Sequence, residues 1–338
     1  MEAAGKWPVV DLQTQDATDV RDLFQRVFGH VMSEPFYHWK YGDGRGMAMG
    51  MRDSTGTLVT HYGGTLRQMK WGPHQFTGVQ VGDVMVAPEV RDVFARFGPF
   101  GRTARQFIDK YLGEGRSNPI GFGFPNARHV TLGRRLKLYW LATSVHALKW
   151  VHAPTDVDAV EEQAASGDWR TEALDLAQEA HRKMVDILAQ DMQTGVCANM
   201  LWPTRGGDGW RHRYTNHPHF RYDVLGVFAH GSKAPVGVLV LKRGCGADPW
   251  ELMDWVGTAA FLPVVPALTW GVVKAQGGQA LELWCSHAVL GTLNAAWRAV
   301  ALKSLACEVV VNHSTLLGLP IDGLAEQFWL TGGDTDFR

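Results

Sequence analysis

Apolar residues near the start of the chain recur at helical spacing. Val20, Leu23, Phe24, Val27 and Phe28 share one face and predict a helix over 16–30, with Asp16 placed to cap it. An aromatic cluster occupies 36–41. The period then shortens toward two, and strands are expected over 47–52, 58–71 and 76–86, with turns at 53–56 and 72–74. Strands joined by turns this short form a meander, so the early sheet is antiparallel. After Pro88 a loop leads to a helix starting near Arg102, whose apolar face is Phe100, Ala104, Phe107, Ile108, Tyr111 and Leu112. A short strand over 119–124, a helix through Leu136 and a strand over 139–151 complete the first half.

The second half restarts the pattern. An acidic, Ala-rich stretch reads as a linker, and a helix is expected over 172–192 with Leu174, Ala177, His181, Met184 and Leu188 on one face. His212-Arg213-Tyr214 then matches Trp39-Lys40-Tyr41 at a distance of roughly 170 residues. Gly237 stands for Gly63 and Asp254 for Asp83 at similar offsets. The reading is a duplication, with modules at 1–152 and 171–338 about a linker at 153–170; chance similarity of two meanders is the alternative. Residues 255–273 carry no charge, yet Pro263, Pro266 and Gly271 interrupt them, so they read as a strand end, a turn and a buried helix rather than a membrane anchor.

Composition adds bounds. At 338 residues the chain is long enough for two domains, and 46% hydrophobic with 20% charged residues suits two buried cores. A net charge of −1 supplies no global field toward nucleic acid or an anionic membrane, so neither is an expected partner. The four cysteines (Cys197, Cys245, Cys285, Cys307) form no close pair and are expected as reduced, packed thiols. His217 and His219 lack a third ligand at metal-site spacing, and no metal is expected. The first ten residues lack a signal-peptide core, and a cytoplasmic location is expected.

The most informative chemistry lies in 81–106. A strand ends at Val86, a Gly/Arg-rich loop follows, and a helix opens. Unpaired N–H groups at a helix start bind anions, the helix dipole assists, and glycines permit close approach. Arg91, Arg96, Arg102 and Arg105 concentrate positive charge there, so a phosphoryl ligand is one reading and a solvated loop the other.

The order of these elements resembles the GCN5-related N-acetyltransferase superfamily, most closely its bacterial two-module members. The residues that carry the resemblance are Gly82-Asp83-Val84-Met85-Val86, the turn from Pro88 to Arg91, the Gly/Arg loop, and Gly123-Phe124-Pro125-Asn126 before a helix. The implied fold class is α+β: tandem modules, each a mixed, largely antiparallel twisted sheet flanked by helices. The family's pyrophosphate loop, Q/R-x-x-G-x-G/A, is matched with one residue of departure by Arg96-Phe97-Gly98-Pro99-Phe100-Gly101, after an apparent insertion at 92–95. The resemblance implies an acyl-CoA site, acetyl-CoA in the simplest case, that includes Met85, Val86, Arg91, Arg102, Thr103 and Asn126. Backbone donors at Met85 and Val86 would stabilise the carbonyl oxygen as it gains charge.

Three catalytic candidates follow. Tyr139 resembles the family's general acid, or is a core-edge aromatic. Asp83 is the candidate base and Glu89 the runner-up, although Asp254 repeats Asp83 and allows a structural role. The implied activity is transfer of an acyl group to a primary amine of a small molecule, by direct attack in a ternary complex. The alternatives are an N-acyl amino acid synthase, an amino-sugar acyltransferase, or a non-catalytic scaffold of the same fold. Residues 257–273 bring no basic residue to the second module, so the cofactor is expected in the first. A homodimer is compatible with this reading.

Overall fold

The computed structural model describes residues 7–91, 98–151, 169–244 and 248–335. Arg96 and Phe97, most of the expected linker, and Cys245 lie outside them. The chain divides into two compact units. The first comprises Met1–Met69, Gln75–Ala142 and Glu308–Asp322; the second comprises Lys70–His74, Thr143–Cys307 and Gly323–Arg338.

In the first unit β1 (Val9–Leu12) precedes α1 (Ala17–Phe28) and α2 (Glu34–Tyr41). The meander β2 (Gly46–Arg52), β3 (Leu58–Trp71) and β4 (His74–Val86) follows, then α3 (Pro99–Tyr111), β5 (Gly121–Gly123) and α4 (Ala127–Arg135). The strand order is β1-β2-β3-β4-β5, closed by the end of β13 (Leu302–Val311). Pairing is antiparallel for β1–β2 and β2–β3, parallel for β4–β5, and antiparallel where Val310 and Val311 meet Gly123 and Phe122.

Two apolar clusters hold the helices on this sheet. One packs Val20, Leu23 and Phe24 of α1 against Met51, Val59 and Met85; the other packs Ala104, Phe107 and Ile108 of α3 with Val130 against Tyr62 and Val79. The expected α1 face is correct for Val20, Leu23 and Phe24, whereas Phe28 is 46% exposed. Asp16 does not cap α1 with its side chain. That carboxylate instead accepts from the Gln13 N–H at 2.7 Å and from Arg52 at 2.6 Å. Helix α3 begins at Pro99, three positions before the expected Arg102, because proline suits a first helical position that needs no N–H donor.

The second unit contains β6 (Trp140–Trp150) from Thr143 onward, β7 (Arg170–Ala173), α5 (Glu179–Thr194), β8 (Leu201–Pro203) and α6 (Gly207–Trp210). β9 (Tyr222–Phe228), β10 (Pro235–Lys242) and β11 (Trp250–Gly257) form its meander. α7 (Val265–Ala275), β12 (Leu281–Ser286), α8 (His287–Leu290) and α9 (Ala295–Val300) complete it. The strand order is β7-β9-β10-β11-β12-β6, parallel only at β11–β12. Each unit thus has an edge strand, a meander, a parallel fifth strand and an antiparallel sixth.

The helix expected over 172–192 is corrected. Residues 170–173 form the edge strand β7, paired with β9, and the Leu174 N–H continues that pairing to the Val224 carbonyl at 2.8 Å. Backbone already committed to a sheet cannot start a helix. The turn at Asp175, whose carboxylate accepts from the Ala177 N–H at 2.9 Å, delays α5 to Glu179. Its buried face is Val185, Leu188, Ala189 and Met192. The uncharged stretch 255–273 is, as expected, a strand end, a turn and the buried helix α7. No helix among the described residues is long and apolar enough to cross a membrane.

Candidate functional site

Strand β4 outruns its neighbour. It pairs with β5 only from Val79 to Val81, opposite Gly121 to Gly123, and then continues to Val86. Beyond Gly123 the chain leaves the sheet, and Asn126 caps α4 by accepting the His129 N–H at 3.0 Å. A cleft of about 260 Å³ opens between the free end of β4 and α4. Val84 and Val86 form one wall, Leu132 of α4 and its C-cap residue Leu136 another, and Val27 and Phe28 of α1 add apolar surface.

The remaining wall is the start of α3. Gly98 is its N-cap residue, and no side chain caps the helix there. The first turn holds no acidic residue, so nothing in it cancels the positive end of the dipole. Gly98, Pro99, Phe100 and Gly101 line the cleft together with Asn126, Arg91, Arg128 and His129. The Arg91 Nε donates to the Val86 carbonyl at 3.0 Å, which lays its side chain across the end of β4. The His129 ring stacks on Phe100, centroids 6.2 Å apart and 7° from parallel. Burial, reinforced by Arg128 and Arg91, lowers the His129 pKa, so its imidazole is neutral at pH 7. A helix start, two guanidinium groups and apolar side walls make a site for a ligand that is anionic at one end and apolar along its length.

Of the expected ligand-binding residues, Val86, Arg91, Gly98, Pro99, Phe100, Gly101 and Asn126 come together here. Met85, expected for its backbone donor, buries its side chain in the α1 cluster. Two others point elsewhere. The Arg102 guanidinium donates to the Trp7 carbonyl at 2.7 Å. Thr103 is buried, with its hydroxyl on the Pro99 carbonyl at 2.9 Å and on Thr60 at 2.7 Å. Arg96 and Phe97 fall outside the described residues.

None of the three catalytic candidates lines the cleft. The Asp83 carboxylate receives Lys40 and the Tyr41 hydroxyl, each at 2.6 Å. Glu89 pairs with Arg26 at 2.6 Å and is half exposed. Tyr139 is buried in the α3–α4 cluster, where its hydroxyl accepts from Tyr62 at 3.3 Å, and burial raises its pKa well above that of a free phenol. Its ring also fills the space a side chain at Gly133 would need. Sequence reasoning missed Val84, Arg128, His129 and the cleft-facing role of Phe28. Arg128 and His129 had a readable signal, since both lie in the helical turn opened by Asn126. His217, a weak metal candidate, uses its Nδ1 to accept the N–H groups of His219 at 3.2 Å and Phe220 at 3.0 Å.

No protein-family model matches the chain. No curated protein sequence matches it either. Solved structures do. A protein from Enterococcus faecalis, described as a conserved protein of unknown function and probable N-acyltransferase, superposes with a TM-score of 0.64 at 10% identity, over 93% of this chain and 73% of its own. A GCN5-related N-acetyltransferase from Kribbella flavida gives 0.58 at 14% identity, over 93% and 71%. Another from Anabaena variabilis gives 0.60 at 12%, over 90% and 72%. What these proteins share with the present chain is architecture: a mixed α+β fold, built as the GCN5-related N-acetyltransferases are.

Proposed function

We propose that the protein is an acyltransferase that takes an acyl group, acetyl in the simplest case, from coenzyme A. It passes that group to a primary amine of a small molecule by direct attack in a ternary complex. The observation that carries this reading is the cleft at the parting of β4 and β5, which opens on the uncapped start of α3 between Arg91 and Arg128.

The residues present suit the cofactor. The first-turn amides of α3 and the two guanidinium groups would hold the diphosphate, and Val84, Val86, Leu132 and Leu136 would flank the pantetheine arm. Coenzyme A supplies the acyl group as a thioester. The backbone of β4 beyond Val81, free of β5, offers amide donors to its carbonyl. The acceptor amine must lose a proton, and we do not give that role to Asp83, whose carboxylate already holds Lys40 and Tyr41. The second unit is, in this proposal, a second module of the same type without a cofactor site. Its α7 opens with Val265-Pro266 and has no basic residue before Lys274, which leaves a phosphate without a cationic partner there.

Calorimetric titration with acetyl-CoA tests the reading. We expect micromolar binding by the wild type and a loss of roughly a hundredfold in Arg91→Ala/Arg128→Ala, since a hydrogen bond to a charged group is worth about 1.5–3 kcal/mol. No heat of binding in either protein would favour the scaffold alternative.

A further inference from the structure

Inside β4, Asp83 takes a left-handed backbone, φ 48°. Strand interiors do not accommodate this conformation in non-glycine residues without an external hold. Three contacts supply one. Lys40 Nζ and the Tyr41 hydroxyl, both from the last turn of α2, reach the same Asp83 oxygen at 2.6 Å. His61 Nδ1 meets the Asp83 carbonyl at 2.7 Å, and because a carbonyl only accepts, that nitrogen carries the proton. Lys40 and His61 are buried. Buried ion pairs seldom add net stability, so a cluster of this kind is better explained by the geometry it imposes.

That geometry shows in the strand. Residues an even number apart share a face of a regular strand. Val79, Val81 and Val84 nevertheless all pack in the α3–α4 cluster, although Val81 and Val84 are an odd number apart, whereas the adjacent Met85 and Val86 both pack with the α1 cluster. The left-handed step at Asp83 therefore breaks the regular alternation of β4 just after it parts from β5, where Val84 and Val86 both line the cleft. The second unit supplies a control. Asp254 on β11 likewise accepts from a tyrosine, Tyr214, at 3.2 Å and pairs with a buried cation, Arg205, at 3.2 Å. Asp254 has no left-handed backbone. The tyrosine–aspartate pair is common to both units, whereas the left-handed step belongs to the unit with the cleft.

We propose that Asp83 is a positioning residue: the Lys40–Asp83–Tyr41 cluster, with His61, holds the left-handed step that turns the backbone of residues 84–86 toward the acyl carbonyl of a thioester in the cleft. This rests on the acyl-CoA reading above. It predicts that what matters at position 83 is tolerance of positive φ, not a carboxylate that takes a proton.

The test uses the full chain with Lys40→Met, so that no buried charge is stranded, combined with Asp83→Gly, Asp83→Asn, Asp83→Ala or Asp83→Val. Calorimetry then gives the affinities for acetyl-CoA and for CoA, and release of thiol from acetyl-CoA in the presence of a panel of simple primary amines gives turnover. The wild type should prefer acetyl-CoA by about five- to tenfold, the worth of one hydrogen bond to the carbonyl. The preference and the turnover should fall together in the order Gly, Asn, Ala, Val, with CoA affinity constant. The first three members keep that order readable even if the valine variant does not fold.

Equal preference in all four variants with uniform loss of turnover would make Asp83 a base and overturn the proposal. So would a wild type that binds both ligands equally. A wild type that binds neither overturns the acyl-CoA reading itself, and this inference with it.

Discussion

Lys137 sits one residue past the C-cap of α4 with φ 56°, where its N–H reaches the Arg134 carbonyl at 3.0 Å and the Leu138 N–H reaches that of Gly133 at 2.8 Å. This paired closure usually ends on glycine, because an L side chain resists the left-handed region. Lys137→Gly should therefore stabilise the protein by about 0.5–1 kcal/mol in denaturant titration. Arg205 presents the opposite case. It is buried between Asp254 at 3.2 Å and Asp334 at 2.7 Å, so Arg205→Met strands two carboxylates and should cost about 3–5 kcal/mol. Adding Asp254→Asn and Asp334→Asn should recover much of that loss.

Burial, with help from Arg213 and His219, pushes the His217 pKa down to about 3. Its folded value lies below the unfolded value of about 6.5, so the contribution is complete above pH 6.5 and is lost as pH falls toward 3. His217→Asn keeps an acceptor for the two N–H groups and should flatten the acid limb by at most about 1.4 kcal/mol per pH unit.

At the scale of elements, helix α3 and the β4–β5 parting form the cleft. His129 faces the same cleft with a lowered pKa, so it gains charge only in acid. Acetyl-CoA affinity should rise as the solution is made acidic, with an increment that His129→Gln removes; calorimetry from neutral into acid checks it. Most elements were legible because their periodicity is local. The span 58–71 coincides with β3, and α3 showed its face through Phe107 and Ile108. The failures have a common cause. Residues 170–173 pattern like the helix that follows them, and only hydrogen bonding to β9 makes them a strand. Arg102 and Thr103 stand at the expected helix start beside the ligand loop, yet helical rotation aims them at Trp7 and Thr60.

Across the molecule, the first compact unit takes its sixth strand from a distant segment of the chain, and the second begins with its own. Glu308–Asp322 completes the first unit, where the Asn312 amide reaches the Tyr62 hydroxyl and the Leu138 carbonyl at 3.4 Å. A fragment ending at residue 152 leaves the outer edge of β5 unpaired, and it should show no cooperative thermal transition. Truncation after Gln327 removes buried Phe328, Trp329 and Leu330 along with Asp334, and it should abolish the near-UV circular dichroism of the second unit. Taken alone, the sequence determined the α+β character, the two meanders and the glycine–arginine segment opening α3. These follow from spacing and side-chain chemistry within a few turns of chain. Tertiary structure decided the identity of each sixth strand, the left-handed step at Asp83, and which arginines face the cleft. Those depend on partners far away in sequence, whose meeting is set by packing that local pattern does not encode.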